Sequence, residues 1–88
     1  VFGHAETAAG VLGVLRTILC LRREGVTKHL HLRRLNDFIG TQLMNELRCV
    51  VPLENVSWST QEGIHGTSRV GSVNSFGFSG TNAHALLQ

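Results

Sequence analysis

Apolar residues recur at Ala8, Val11, Leu12, Leu15, Ile18 and Leu19, the spacing that lines one face of an α-helix. Val14 and Leu21 widen the stripe, so the pattern predicts a long, mostly buried helix over Ala5–Glu24. Gly10 and Gly13 interrupt it, each lowering helix propensity by about 1 kcal/mol relative to alanine. Close approach of another backbone would offset that loss. Glu6 suits the N-terminal end, Arg22 and Arg23 suit the C-terminal end, and Gly25 is the expected stop. His29-Leu30-His31-Leu32 alternates polar and apolar and predicts a short extended segment, followed by a turn at Leu35-Asn36-Asp37. Ile39, Leu43 and Leu47 then fall at i, i+4 and i+8, predicting a short amphipathic helix over Phe38–Arg48. Cys49-Val50-Val51 before Pro52 reads as a strand. Residues 57–68, with Gly63 and Gly66, read as a loop anchored by Trp58. The chain shows no internal repeat.

The final nineteen residues, Val70 to Gln88, read as strand, tight glycine-bearing turn, strand, with Phe76 and Phe78 at the turn. Exposed turns usually carry small polar residues. Rings flanked by Gly77 and Gly80 point instead to a loop whose backbone comes close to something while its side chains exclude water.

Composition adds little until it is placed along the chain. Eighty-eight residues suffice for one small domain, and 42% apolar content is adequate for folding. Charged residues make up only 16%, few for a free-standing surface, so part of the surface is expected to be covered. A net charge of +2 is too mild to imply a nucleic-acid partner. Arg16, Arg22, Arg23, Lys28, Arg33 and Arg34 all precede residue 35, which suits a solvated helix end and loop. Cys20 lies in an apolar helical run and Cys49 leads into Val50-Val51; both read as structural, and their usage suits a reducing, cytoplasmic setting. The apolar run Ala8–Leu21 contains Arg16 and, at about fourteen residues, is too short to span a membrane. His29-x-His31 is the obvious metal-ligand pair among the five histidines, but no cysteine or carboxylate cluster completes a set.

Asn74-Ser75-Phe76-Gly77-Phe78-Ser79-Gly80-Thr81-Asn82-Ala83-His84 resembles the closing motif of the β-ketoacyl synthases, most closely the ketosynthase domains of polyketide synthases. At the other end, Gly3-His4-Ala5-Glu6-Thr7-Ala8-Ala9-Gly10 is similar to the Gly-His-x-Glu-Ala-Ala-Ala-Gly stretch of the same family. The two motifs stand in the family's order and at about its spacing. The middle fits more loosely: Leu35-Asn36-Asp37 lacks the proline common there, and Val1 stands where many members have asparagine.

The resemblance implies that residues 1–88 are the C-terminal portion of an α/β, thiolase-like fold of layered α-β-α-β-α type. In it Ala5–Glu24 would be one long buried helix, and Val70–Ser75 with Ala83–Leu87 a closing antiparallel β-hairpin. The implied reaction is a decarboxylative Claisen condensation, needing a cysteine thiolate, imidazoles and oxyanion donors. His4 matches the second family histidine, and its place before a helix would favour a neutral ring that polarises the extender thioester. Phe78 matches the residue whose backbone N–H serves the oxyanion hole of the cysteine-bound acyl group and whose ring forms a gate. Asn74, Ser75, Thr81 and Asn82 are expected to hydrogen-bond the turn into shape, with Phe76 as packing and His84 as a structural residue. The family binds no metal and no cofactor directly. Its substrates arrive on the phosphopantetheine arm of an acyl carrier protein, for which the basic segment before residue 35 would be a docking edge. The complete domain is a homodimer. The nucleophilic cysteine would lie upstream of residue 1, so the piece is expected to be inactive alone.

Three other readings follow from the same residues. A non-condensing homologue would keep the fold as a partner subunit or structural module. A degradative thiolase would be expected to carry a second cysteine in residues 76–81, which have none. A small basic RNA-binding module would bind with strong salt dependence.

Overall fold

The computed structural model describes residues 2–58 and 68–88. A 3-10 turn at Glu6–Ala8 leads into helix α1 (Ala9–Arg23), strand β1 (Gly25–Val26), helix α2 (Asp37–Asn45) and strand β2 (Val56–Ser57). Strands β3 (Gly71–Phe76) and β4 (Asn82–Leu87) follow. They form an antiparallel hairpin with Gly71 opposite Leu87 and Phe76 opposite Asn82, within one residue of the expected strand bounds. The described elements make a small α/β assembly of two helices and two two-stranded sheets.

The seam between α1 and β3 organises the assembly. Gly10, Gly13 and Thr17 lie on one helix face, and Ser75, Val73 and Gly71 lie on one strand face in opposite chain order. A Cβ on Gly10 would stand 3.2 Å from Ser75 Oγ, and one on Gly13 would stand 3.0 Å from Val73 Cγ1. A Cβ on Gly71 would overlap the Thr17 methyl. Seven helical steps cover about 10 Å and four strand steps about 13 Å, a mismatch of about one strand residue that three successive contacts tolerate. The approach that offsets the helix glycines is therefore by strand side chains on α1, not by a bare backbone as expected. Thr17 Oγ1 also donates to Gly13 O at 2.9 Å, which fixes the threonine rotamer at the contact.

The expectation of a buried helix is corrected. No residue of α1 is buried, and there is no buried hydrophobic residue among the described residues. The hairpin covers one face only. Val11, Leu15 and Leu19 on the remaining surface are 62%, 51% and 52% exposed, so the wide stripe has more apolar faces than one two-stranded sheet can cover.

The helix also begins and ends differently. It starts at Ala9, after the 3-10 turn, and Glu24 rather than Gly25 takes the left-handed position, with φ 53°. Its N–H donates to Cys20 O. A glutamate tolerates this conformation here because its other groups are tied down. Trp58 N–H donates to Glu24 O at 2.7 Å, the Glu24 carboxylate pairs with Arg69 at 3.1 Å, and Arg69 Nε donates to Trp58 O at 2.7 Å. Trp58 is held by its backbone N–H and carbonyl; the loop it was expected to anchor lies mostly outside the described residues.

β1 pairs with β2, Gly25 opposite Ser57 and Val26 opposite Val56. Two bonds extend this ladder: Lys28 N–H donates to Asn55 Oδ1 and His29 N–H to Pro52 O, each at 3.0 Å. The expected strand at Cys49–Val51 does not form; the pairing partner of β1 comes from beyond Pro52. His29–Leu32 is a turn rather than an extended segment. Leu32 N–H donates back to His29 O at 3.3 Å, and His31 has φ 67°. Asn36 is the N-cap of α2, its side chain accepting from Phe38 N–H at 2.9 Å, and the helix ends at Asn45 rather than Arg48. Val1 and the greater part of the expected loop, including Gly63 and Gly66, lie outside the described residues.

Gly71→Ala should force Thr17 out of its bonded rotamer and destabilise the seam by about 1–3 kcal/mol. Hydrogen exchange of α1 and β3 peptides in the natural polypeptide should accelerate, and Thr17→Ser on the same background should restore protection. Asn36→Ala should cost about 1 kcal/mol of cap stability and accelerate exchange in the first turn of α2, with α1 unaffected.

Candidate functional site

The seam places the two motifs side by side. A cleft of about 650 Å³ is lined by His4 and Glu6 from the N-terminal turn, Gly10 and Gly13 from α1, and Phe76 and Phe78 from the hairpin. Both expected site residues, His4 and Phe78, therefore line one concavity although they are 74 positions apart in sequence.

On the N-terminal side, Gly3 with φ 68° and Glu6 with φ 49° turn the chain on either side of His4. His4 is exposed. The helix proper begins at Ala9, so His4 lies outside the first α-helical turn that its expected place presupposed. Glu6, read in the sequence as a helix-end residue, instead lines the cleft. Its φ is the signal that sequence alone could not carry.

On the hairpin side, backbone bonds shape the turn. Gly77 N–H donates to Thr81 O at 2.6 Å and Gly80 N–H to Gly77 O at 3.0 Å. Gly80 has φ 98°, a conformation open to glycine and strained for other residues. A Cβ on Gly77 would stand 2.8 Å from Thr81 O, so that close bond also requires glycine. The Phe78 N–H has no intrachain partner among the described residues, and its side chain is fully exposed.

The polar residues expected to shape the turn do so only in part. Thr81 contributes its carbonyl, and Asn74 Oδ1 contacts His84 Nδ1 across the strands at the register pair Asn74–His84. Ser75 and Asn82 make no side-chain hydrogen bond among the described residues. Phe76 is 74% exposed, so its expected packing role is corrected: it lines the cleft.

Neither cysteine lines this cleft; Cys20 is half-buried elsewhere on α1, and Cys49 is exposed, its Sγ 3.4 Å from Leu47 O. No group of three histidine, cysteine or carboxylate side chains that could hold a metal occurs among the described residues. The turn at His31 removes the shared strand face that a metal pair of His29 and His31 would need. No described helix is long and apolar enough to cross a membrane.

An imidazole and a backbone N–H without a partner among the described residues, on two residues of one cleft, are groups that can donate to an oxygen carrying negative charge. No family model and no solved structure matches the chain. Curated relatives do. A non-reducing polyketide synthase, olcA, of Penicillium canescens is 39% identical over 89 residues, covering 100% of this chain and 3% of the relative. Polyketide synthase 19 of Gibberella fujikuroi is 42% identical over 88 residues, again 100% of the chain and 3% of the relative. A phenolphthiocerol/phthiocerol polyketide synthase of Mycobacterium tuberculosis is 37% identical over 86 residues, or 98% of the chain and 4% of the relative. The chain thus spans 3–4% of the length of these three proteins. These three relatives, 37–42% identical along 98–100% of this chain, are polyketide synthases.

Proposed function

We propose that this chain supplies the C-terminal portion of a β-ketoacyl synthase domain of the polyketide synthase type, with a thiolase-like fold. The observation that carries the reading is the shared cleft. His4 and Phe78, whose N–H has no partner among the described residues, line it together, the two residue positions that a site recognising thioester oxygens requires. The polyketide synthase relatives support the same reading over the whole chain.

In this reaction the extender thioester loses its carboxylate as carbon dioxide, and the electron pair of the broken C–C bond forms an enolate. The His4 N–H donates to the enolate oxygen. The enolate carbon attacks the acyl thioester carbonyl, whose oxygen accepts from the Phe78 N–H as it becomes an oxyanion. Collapse of that intermediate breaks the C–S bond and returns a thiolate to an upstream cysteine. The exposed Phe78 ring gates the approach. The glycines at 77 and 80 act earlier in the chain of cause, because they hold the turn that leaves the amide free.

The substrates would be delivered by an acyl carrier protein through its phosphopantetheine arm, the complete domain would be a homodimer, and the setting would be cytoplasmic. A non-condensing partner subunit is the reading that remains if the upstream nucleophile is missing.

In the natural polypeptide, His4→Ala should retain acylation by a thioester donor and lose extender decarboxylation by about 10²-fold or more. Decarboxylation at an unchanged rate would remove His4 from the mechanism, and absence of acylation in the unsubstituted protein would favour the partner-subunit reading. Gly80→Val should instead slow acyl transfer to the cysteine, by about 10²–10³-fold, because the turn can no longer present the Phe78 amide. Acylation kinetics by intact-protein mass spectrometry separate the two variants.

A further inference from the structure

A second cavity, of about 270 Å³, lies on α1 away from the His4 cleft, between the helix and the β1–β2 ladder. Its apolar lining comes from Leu19, Cys20, Val26 and Val56, and its polar lining from Arg16, Arg23, Thr27 and Asn55. Arg16, Cys20 and Arg23 are spaced i, i+4 and i+7, so both guanidinium groups rise from the same helix face.

The polar groups here share a bias. Arg16 donates to Thr27 Oγ1 at 3.2 Å and to Thr27 O at 3.5 Å, which uses acceptor capacity of the threonine and orients the guanidinium. Asn55 Oδ1 already accepts from Lys28 N–H. What remains for a ligand is the remaining N–H groups of Arg16, the guanidinium of Arg23, the Thr27 hydroxyl proton and the Asn55 amide protons. Arg23 has no ion-pair or hydrogen-bond partner among the described residues. Only the remaining lone pairs of the Thr27 and Asn55 oxygens stand against these donors, and both charges on the cavity wall are positive, beside an apolar lining.

We infer that this cavity binds the phosphate group of a small phosphate monoester, whose short aliphatic arm lies on Leu19, Val26 and Val56. Two planar forks with two further donors exceed what the two oxygens of a carboxylate can accept, and they suit the three terminal oxygens of a phosphate monoester. The site is independent of the His4 cleft and of the reaction assigned there.

Cys20 provides a local reporter, because it lines the cavity and is half-buried. In the natural polypeptide, alkylation of Cys20 by iodoacetamide, mapped by peptide mass spectrometry, should be slowed by butyl phosphate. At ten times the dissociation constant the slowing should be about tenfold. Arg16→Gln with Arg23→Gln should weaken this protection by about tenfold or more, whereas Arg33→Gln with Arg34→Gln should leave it intact. Inorganic phosphate should protect at higher concentration than butyl phosphate, because it lacks the apolar arm. No protection by butyl phosphate at about 10 mM, ten times a millimolar dissociation constant, overturns the inference. So does equal protection by butyrate, protection that survives the double arginine substitution, or a Cys20 that cannot be alkylated at all.

Discussion

Three missing side chains let α1 and β3 meet. At Gly10, Gly13 and Gly71 a Cβ would press on or overlap Ser75, Val73 and Thr17, so the helix rests on the strand at a distance that larger residues forbid. This close approach aligns the chain's two ends. The turn before α1 carries His4 and the turn after β3 carries Phe78; holding the helix against the strand brings both to one cleft. The helix glycines lower local propensity, and the packing they permit is what the site requires.

The same seam explains why no hydrophobic residue among the described residues is buried. A two-stranded sheet offers one face to one helix, which accounts for the partial burial of Gly13, Val73 and Ala85. The opposite surface of α1 presents Val11, Leu15 and Leu19 without cover. With 16% charged residues, the chain has little with which to solvate such a surface. Among the described residues no buried core absorbs a loss of contacts at the seam, so changes at the glycines act directly on the position of His4 relative to Phe78.

The long helix and the closing hairpin were legible because each rests on many residues repeating at a fixed period. Their ends were less so: Glu24 takes the left-handed position expected of Gly25 because Trp58 and Arg69 hold it there, and both partners are remote in sequence. The β1–β2 ladder joins residues 25–26 to 56–57, too short a pairing to leave a periodic trace. Alternation at His29–Leu32 suggested an extended segment, yet the backbone turns at His31. For the candidate site, residue types pointed to His4 and Phe78, while the participation of Glu6 and Phe76 depends on backbone angles that no residue pattern specified. Burial was the largest departure. Periodicity identifies faces that favour cover but not what covers them.

The seam itself is the claim on which the rest stands, and a cross-link tests it directly. An ideal Cβ at Gly10 lies 3.4 Å from Ser75 Cβ, close to the separation that a disulfide spans. In the natural polypeptide with Cys20 and Cys49 changed to alanine, Gly10→Cys with Ser75→Cys should form a bridge on mild oxidation, identified by peptide mapping. A control pair, Gly10→Cys with Ser72→Cys, places the second cysteine on the opposite strand face and should remain reduced. Bridging of the first pair alone is the predicted result. Failure of that pair to bridge, or equal bridging by both, would contradict the packing of α1 on β3 and with it the shared cleft of His4 and Phe78.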